Sequence, residues 1–291
     1  MKTIHIDSPL VDVEWLRKHL GAENLIVLDA TLPKAVAGAS VEEMPAVNIP
    51  GARFFDIKNV FSDKSATYPN TWPGQDAFIE AARDLGINKN STIVVYDDHG
   101  IYSSARAWWM FKAMGHHNIA VLNGGLIAWK KAGFTLGEKR SRQVSQGDFS
   151  GIFNPDFFKN HQDVLGHLTD KEELVLDARA ENRFLGLVEE PREGLRSGHI
   201  PGSVNLPYTD LLIDGKMIDL QNLKKIFSSK IPKNRKLVFS CGSGITACVL
   251  ALGAELSGYQ NLSVYDGSWT EYGNSVGVPI SNPAGTIWGK G

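Results

Sequence analysis

Cys241 stands in the run Ser240-Cys241-Gly242-Ser243-Gly244-Ile245-Thr246-Ala247-Cys248, behind the apolar stretch Leu237-Val238-Phe239 and ahead of an alanine- and leucine-rich stretch of helical character. A cysteine at the carboxyl end of a strand, followed by a glycine-rich turn into a helix, sits where backbone N–H groups converge and the helix dipole is positive. That setting favours a thiolate, the nucleophilic form of the side chain. The same ring of amides suits a persulfide anion, Cys–S–S⁻, and gives Gly242 and Gly244 a reason beyond flexibility: the backbone must come close to the sulfur. Cys248, seven residues on and among apolar neighbours, reads as helix packing.

The spacing excludes several other chemistries. A cysteine phosphatase needs an arginine after five intervening residues, and that position is Ala247. A serine hydrolase elbow is GxSxG, whereas the residue two before Ser243 is Cys241. A dinucleotide fingerprint needs a third glycine that this loop lacks. With only two cysteines and eight scattered histidines, a structural zinc site is not expected. No metal or cofactor is implied.

The elements that must position Cys241 occur twice. LIVLDATL (25–32), IPGARFFDI (49–57), STIVVYDDHG (91–100), a helical segment and IAVLNGGLIAW (119–129) are matched by ELVLDARA (173–180), IPGSVNLPY (200–208), RKLVFSCGSG (235–244), a second helical segment and LSVYDGSWTEY (262–272). Short β-branched runs alternate with segments of helical period, as expected for parallel strands joined by crossover helices. The fold expected is α/β, two tandem domains of the same kind, each a small parallel sheet flanked by helices. The first spans 1–136 and the second 152–291, with the polar segment 137–151 as linker. Gly115 and Gly258 should cap equivalent helices in the left-handed conformation. With the run Asp97–Ala105 set against Ser240–Cys248, Cys241 corresponds to Asp98, so only the second half can do thiol chemistry. The cleft between two such domains is a natural place for a small ligand.

Bulk properties narrow the partners. A formal net charge of -2 and a pI near 6.5 argue against nucleic acid. No apolar run approaches the roughly 20 residues of a membrane span. The beginning lacks the character of a signal or transit peptide, and two cysteines in one short segment fit a reducing compartment, so a cytoplasmic protein is expected. No heptad or exposed-edge pattern stands out, and a monomer is the default. The pairs Trp108-Trp109 and Phe54-Phe55 read as core and domain-interface packing.

The doubled pattern and the CGSGIT loop resemble the tandem rhodanese family, specifically its 3-mercaptopyruvate sulfurtransferase branch, over nearly the whole chain. The resemblance implies an inactive first domain and a persulfide-forming Cys241 in the second. It implies a loop of Gly242, Ser243, Gly244, Ile245 and Thr246 that binds the substrate, and it assigns the donor's carboxylate to Arg183 and Arg192. Thiosulfate-preferring members carry basic residues just after the cysteine to hold a dianion; Gly242, Ser243 and Gly244 are uncharged, which suits a monoanionic mercapto-acid. Sulfur would pass to a thiol, either a small one or a thioredoxin-like protein, or to cyanide. Arg179 is read as scaffold, paired with Asp177.

The branch also has a Ser-His-Asp relay. Ser243 and Asp56 fill two of its positions, but Asn70 stands where the histidine belongs. An amide can position a hydroxyl yet cannot take its proton. Asp56 is equally the residue type that caps a turn, and His99 reads as structural or as a cleft wall. Two other functions use the same fold: a thiosulfate sulfurtransferase, and a relay module that accepts persulfide from a partner.

Overall fold

In the computed structural model, residues 3–33, 47–138, 144–168, 172–232 and 235–286 are described. Each half contains a five-stranded parallel sheet. In the first the strand order is Leu10–Val11, Ile119–Leu122, Thr92–Tyr96, Leu25–Asp29, Arg53–Phe54. In the second it is Phe158–Lys159, Leu262–Tyr265, Lys236–Ser240, Glu173–Asp177, Val204–Asn205. The orders correspond strand for strand, so the repeat read from the sequence is a repeat of topology.

The central strands are apolar at nearly every position because helices cover both faces. Their alternation still sorts the side chains. Ile26, Leu28, Ile93 and Val95 enter one large cluster continuous with Leu174, Leu176, Leu237 and Phe239 of the other half. Val27, Val94 and Tyr96 face a smaller cluster with Leu16 and Trp129, and Val175, Val238 and Tyr265 face another with Trp269. The large cluster joins the halves.

Two helices account for that continuity. In Ser104–Ala113 every residue but Lys112 is buried; in Ala247–Leu256 all but Glu255 and Leu256 are. A helix buried all round needs partners on both sides, and here each lies on its own sheet and against the other. Lys112 pairs with Glu255 across the contact, and Trp109 Nε1 donates to the Phe157 carbonyl at 3.2 Å. Both helices follow the central strand of their half's sheet, so the two loops at their N-termini lie near the domain interface. Gly115 and Gly258 take φ of +76° and +90° just past the helix ends, as expected of left-handed caps.

Where described, the polar segment between the halves is packed rather than free. Gly137–Glu138 pairs antiparallel with Val47–Asn48. Gly147 and Phe149 donate to the Arg83 and Ile87 carbonyls at 2.8 and 3.0 Å, and the fully buried Phe149 ring meets Phe78, Phe111 and His116. One aromatic anchor in a polar run carries no periodicity, which is why the sequence reads as a spacer. Of the aromatic pairs, Trp108, Trp109 and Phe55 are buried, whereas Phe54 points outward on its edge strand, 39% exposed.

Candidate active site

Strand register corrects the pairing of the two loops. Asp29 aligns with Tyr96 and Asp177 with Ser240, so the residue after each strand is Asp97 in the first half and Cys241 in the second. The next helix confirms it: Leu126 N–H donates to the Asp97 carbonyl at 3.0 Å and Trp269 N–H to the Cys241 carbonyl at 2.9 Å. Cys241 therefore corresponds to Asp97, not Asp98. The first loop is one residue longer before its helix, so counting back from the helices gives Asp98, whereas counting forward along the strand motifs gives Asp97, as the register does.

The two equivalent loops treat an anion differently. The Asp97 carboxylate turns into its own loop. It accepts from the N–H groups of His99 at 3.0 Å, Tyr102 at 2.8 Å and Ser104 at 2.8 Å, and from the Ser104 hydroxyl at 2.6 Å. Asp98, one residue on, lies 3.4 Å from His99 Nε2, and burial first of all raises its pKa. In the second half Cys241 occupies the position of Asp97 at 2% exposure. There the N–H groups of Gly242, Ser243, Ile245 and Thr246 reach no acceptor among the described residues. The loop is the same kind of anion nest, with a sulfur where the first half has a carboxylate.

Several contacts hold the nest open. Gly244, at φ +75°, has no room for a side chain, because a Cβ would come within 2.7 Å of the Asp266 carbonyl. Ile245 is buried in the large core and anchors the loop from below. Thr246 is the N-cap residue of the following helix, without a side-chain capping bond. The Gly242 carbonyl accepts from the N–H and the hydroxyl of Thr270. Ser268 Oγ accepts from the N–H groups of Cys241 and Gly244.

Arg183 and Arg192 both reach this loop: a Cβ built on Gly242 would lie 3.4 Å from Arg183 Nη2 and 3.9 Å from Arg192 Nη1. Arg183 is not free, since its Nε and Nη2 donate to Glu190. Arg192 Nη1 donates to Thr270 Oγ1 at 3.2 Å. Arg179 is scaffold as expected: its buried guanidinium grips both Asp177 oxygens and also Glu190, 4.2 Å over the Trp269 ring.

The first half contributes directly. Asn70, buried and at φ +63°, donates from its amide to Ser243 Oγ at 3.1 Å. Its carbonyl accepts from Arg106 Nη2 at 2.8 Å, and the same fully buried guanidinium pairs with Asp266 Oδ1 at 2.6 Å and reaches the Gly244 carbonyl at 3.4 Å. Burial by itself would lower the Arg106 pKa, but Asp266 raises it overall, so the group is a fixed cation. Among the described residues no hydrogen bond joins Asp56 to Ser243. Its carboxylate accepts from the backbone and side chain of Asn59, as a turn cap does.

Tyr102 and Tyr208, from opposite halves, face each other with ring centroids 6.0 Å apart. Burial raises both phenol pKa values, and Cys241 is among the charges that raise them further. Burial also pushes the Cys248 thiol up to about 12, which leaves it neutral, with Sγ 3.3 Å from the Gly244 carbonyl. Sequence reasoning missed Tyr102, Tyr208, Arg106, Asp266, Glu190 and Ser268. Tyr102 alone had a signal, its place in the first half's own loop.

A rhodanese-like domain model matches residues 12–132 and again 160–275. The chain belongs to the rhodanese family. A mouse protein named 3-mercaptopyruvate sulfurtransferase is 40% identical over 273 residues, covering 90% of this chain and 91% of that one. A cattle protein named thiosulfate sulfurtransferase is 36% identical over 272 residues, covering 90% and 91%. The crystal structure of SseA from Escherichia coli, described as a 3-mercaptopyruvate sulfotransferase, superposes with a TM-score of 0.79 at 32% identity, covering 90% of this chain and 99% of that one. Among the described residues no helix is long and apolar enough to cross a membrane. Nor is there a cluster of metal-ligating side chains among them.

Proposed function

We propose that this rhodanese-family chain is a 3-mercaptopyruvate sulfurtransferase working through a Cys241 persulfide. The observation that carries the reading is the pair of equivalent loops. In one, the amides enclose a carboxylate; in the other, the corresponding amides are open around a cysteine.

The donor's carboxylate lies against Arg192 and the edge of Arg183 not taken by Glu190, a charge-assisted grip suited to a monoanion. Cys241 attacks the donor sulfur as the thiolate, an S–S bond forms, and the C–S bond breaks with its electron pair going to carbon. The leaving group is the enolate of pyruvate, which takes up a proton. Ser243, its hydroxyl fixed by Asn70, and the loop amides stabilise the charge that develops. Without a histidine in contact, Ser243 donates a hydrogen bond and relays no proton. The outer sulfur then sits in the nest until a second thiolate, from a small thiol or a thioredoxin-like protein, or cyanide, attacks it and restores Cys241. A cytoplasmic monomer fits this reading.

The test is pyruvate release from 3-mercaptopyruvate beside thiocyanate formation from thiosulfate and cyanide, for the wild type and Cys241→Ala. Pyruvate release that vanishes in the variant, with weak thiosulfate turnover, supports the reading. A preference for thiosulfate overturns the donor. No turnover of either turns the chain into a relay module.

A further inference from the structure

Ser268 is fully buried, does not touch the donor-binding arginines, and adopts φ +49°, a conformation disfavoured for any residue with a Cβ. Its repeat equivalent is Gly125, at φ +52°. There a Cβ would meet the Asp97 carbonyl at 2.2 Å and the Gly100 carbonyl at 2.6 Å, so that half tolerates only glycine. The backbone geometry is thus served by glycine in the inactive half, and the active half bears a hydroxyl in spite of the strain.

That hydroxyl lies under the nucleophile. Ser268 Oγ accepts from Cys241 N–H at 3.2 Å and Gly244 N–H at 3.1 Å, donates to the Tyr265 carbonyl at 2.8 Å, and stands 3.9 Å from Cys241 Sγ. Two donated N–H bonds polarise the O–H and fill its acceptor capacity, leaving the single proton to choose between the carbonyl and the sulfur. A thiolate is the stronger acceptor.

We propose that the Ser268 hydroxyl is the hydrogen-bond donor to the attacking sulfur, turning its proton from the Tyr265 carbonyl to Cys241 Sγ when the thiolate forms. The amides of the nest then serve the outer sulfur, and Ser268 serves the inner one. No bond to hydrogen breaks; the O–H only rotates. The inference rests on Cys241 as the nucleophile. Other titratable or charged groups near the loop are Arg183, Arg192, Tyr102, Tyr208, Cys248 and the Arg106–Asp266 pair, and replacing Ser268 leaves all of them in place.

The experiment uses the full chain with Ser268→Gly, which adopts the geometry of Gly125, and Ser268→Ala, which keeps the Cβ. Iodoacetamide alkylation of Cys241 is followed against pH, beside pyruvate release. Cys248, with its thiol pushed up to about 12, stays silent. Both variants should alkylate about tenfold more slowly at neutral pH, with the profile displaced about one unit upward, as loss of one hydrogen bond to a charged group implies. The donor KM should stay within about twofold of wild type, because no donor contact is touched. A Ser268→Gly chain with the wild-type alkylation profile would overturn the inference and leave Ser268 as loop packing. If the wild type releases no pyruvate but Ser268→Gly still displaces the profile, the proposed function fails and this inference stands.

Discussion

Replacing Asp266 by asparagine separates the two halves' electrostatic tie from their packing. Asp266 Oδ1 accepts from Arg106 Nη2 at 2.6 Å and Oδ2 from Trp72 N–H at 2.7 Å. An amide has one oxygen, so asparagine must present its NH₂ to one of these donors. The Arg106 side chain is 0% exposed and that of Asp266 13%, which leaves water little room to compensate. Breaking a buried pair by removing one charge costs about 3–5 kcal/mol. At about 2–4 °C per kcal/mol, the expected loss is on the order of 10 °C in Tm. Glu172→Gln is the control: its pair with Lys236 has side chains 68% and 56% exposed, and its loss should cost less than about 1 kcal/mol. Urea midpoints of the two variants against wild type measure the difference. Because Arg106 also holds the carbonyl of Asn70, which positions Ser243, pyruvate release should fall in Asp266→Asn under conditions where the chain is still folded. A midpoint for Asp266→Asn no lower than that of Glu172→Gln would refute the claim that this ion pair binds the inactive half to the catalytic loop.

Three further outcomes are expected. Cys248→Ala should keep pyruvate release within about twofold and leave its pH profile unchanged, since a thiol raised to about 12 supplies no nucleophile at neutral pH; steady-state kinetics checks this. Gly242→Arg adds a third cation beside Arg183 and Arg192, at a position where a Cβ makes only ordinary contact. Thiosulfate turnover relative to 3-mercaptopyruvate should rise about tenfold, as a dianion gains more than a monoanion from added positive charge. Burial lowers the pKa of both His116 and His199 in the folded chain, so the unfolded chain binds more protons below about pH 6.5. Stability should therefore fall as pH drops through that value, and replacing both histidines by glutamine should flatten the slope of urea midpoint against pH.

The sequence by itself determined the repeat, the alternation of strands and crossover helices, the half that bears the nucleophile, and Arg179 as scaffold. These are local matters: periodicity, glycine at helix ends, and one cysteine after one strand. The loop register had two local readings: counting back from the helix gives Asp98 as the equivalent of Cys241, because the first loop holds one more residue, and counting forward from the strand gives Asp97. The pairing of Tyr96 with Asp29 and of Ser240 with Asp177 decides for the strand.

Of the cross-domain contacts, that of Asn70 with Ser243, 173 positions apart, was legible only through the family resemblance, and that of Arg106 with Asp266, 160 positions apart, not at all, since no pattern within either half requires them to meet. They meet because the helices Ser104–Ala113 and Ala247–Leu256 are apolar all round and must bury against each other, which brings the two loops to a common interface. Asp56 shows the converse. Its place in a motif suggested a relay, and its carboxylate is taken up by the turn it caps, through Asn59. Residue type determined which chemistry was available; packing between the halves decided which residues share the site.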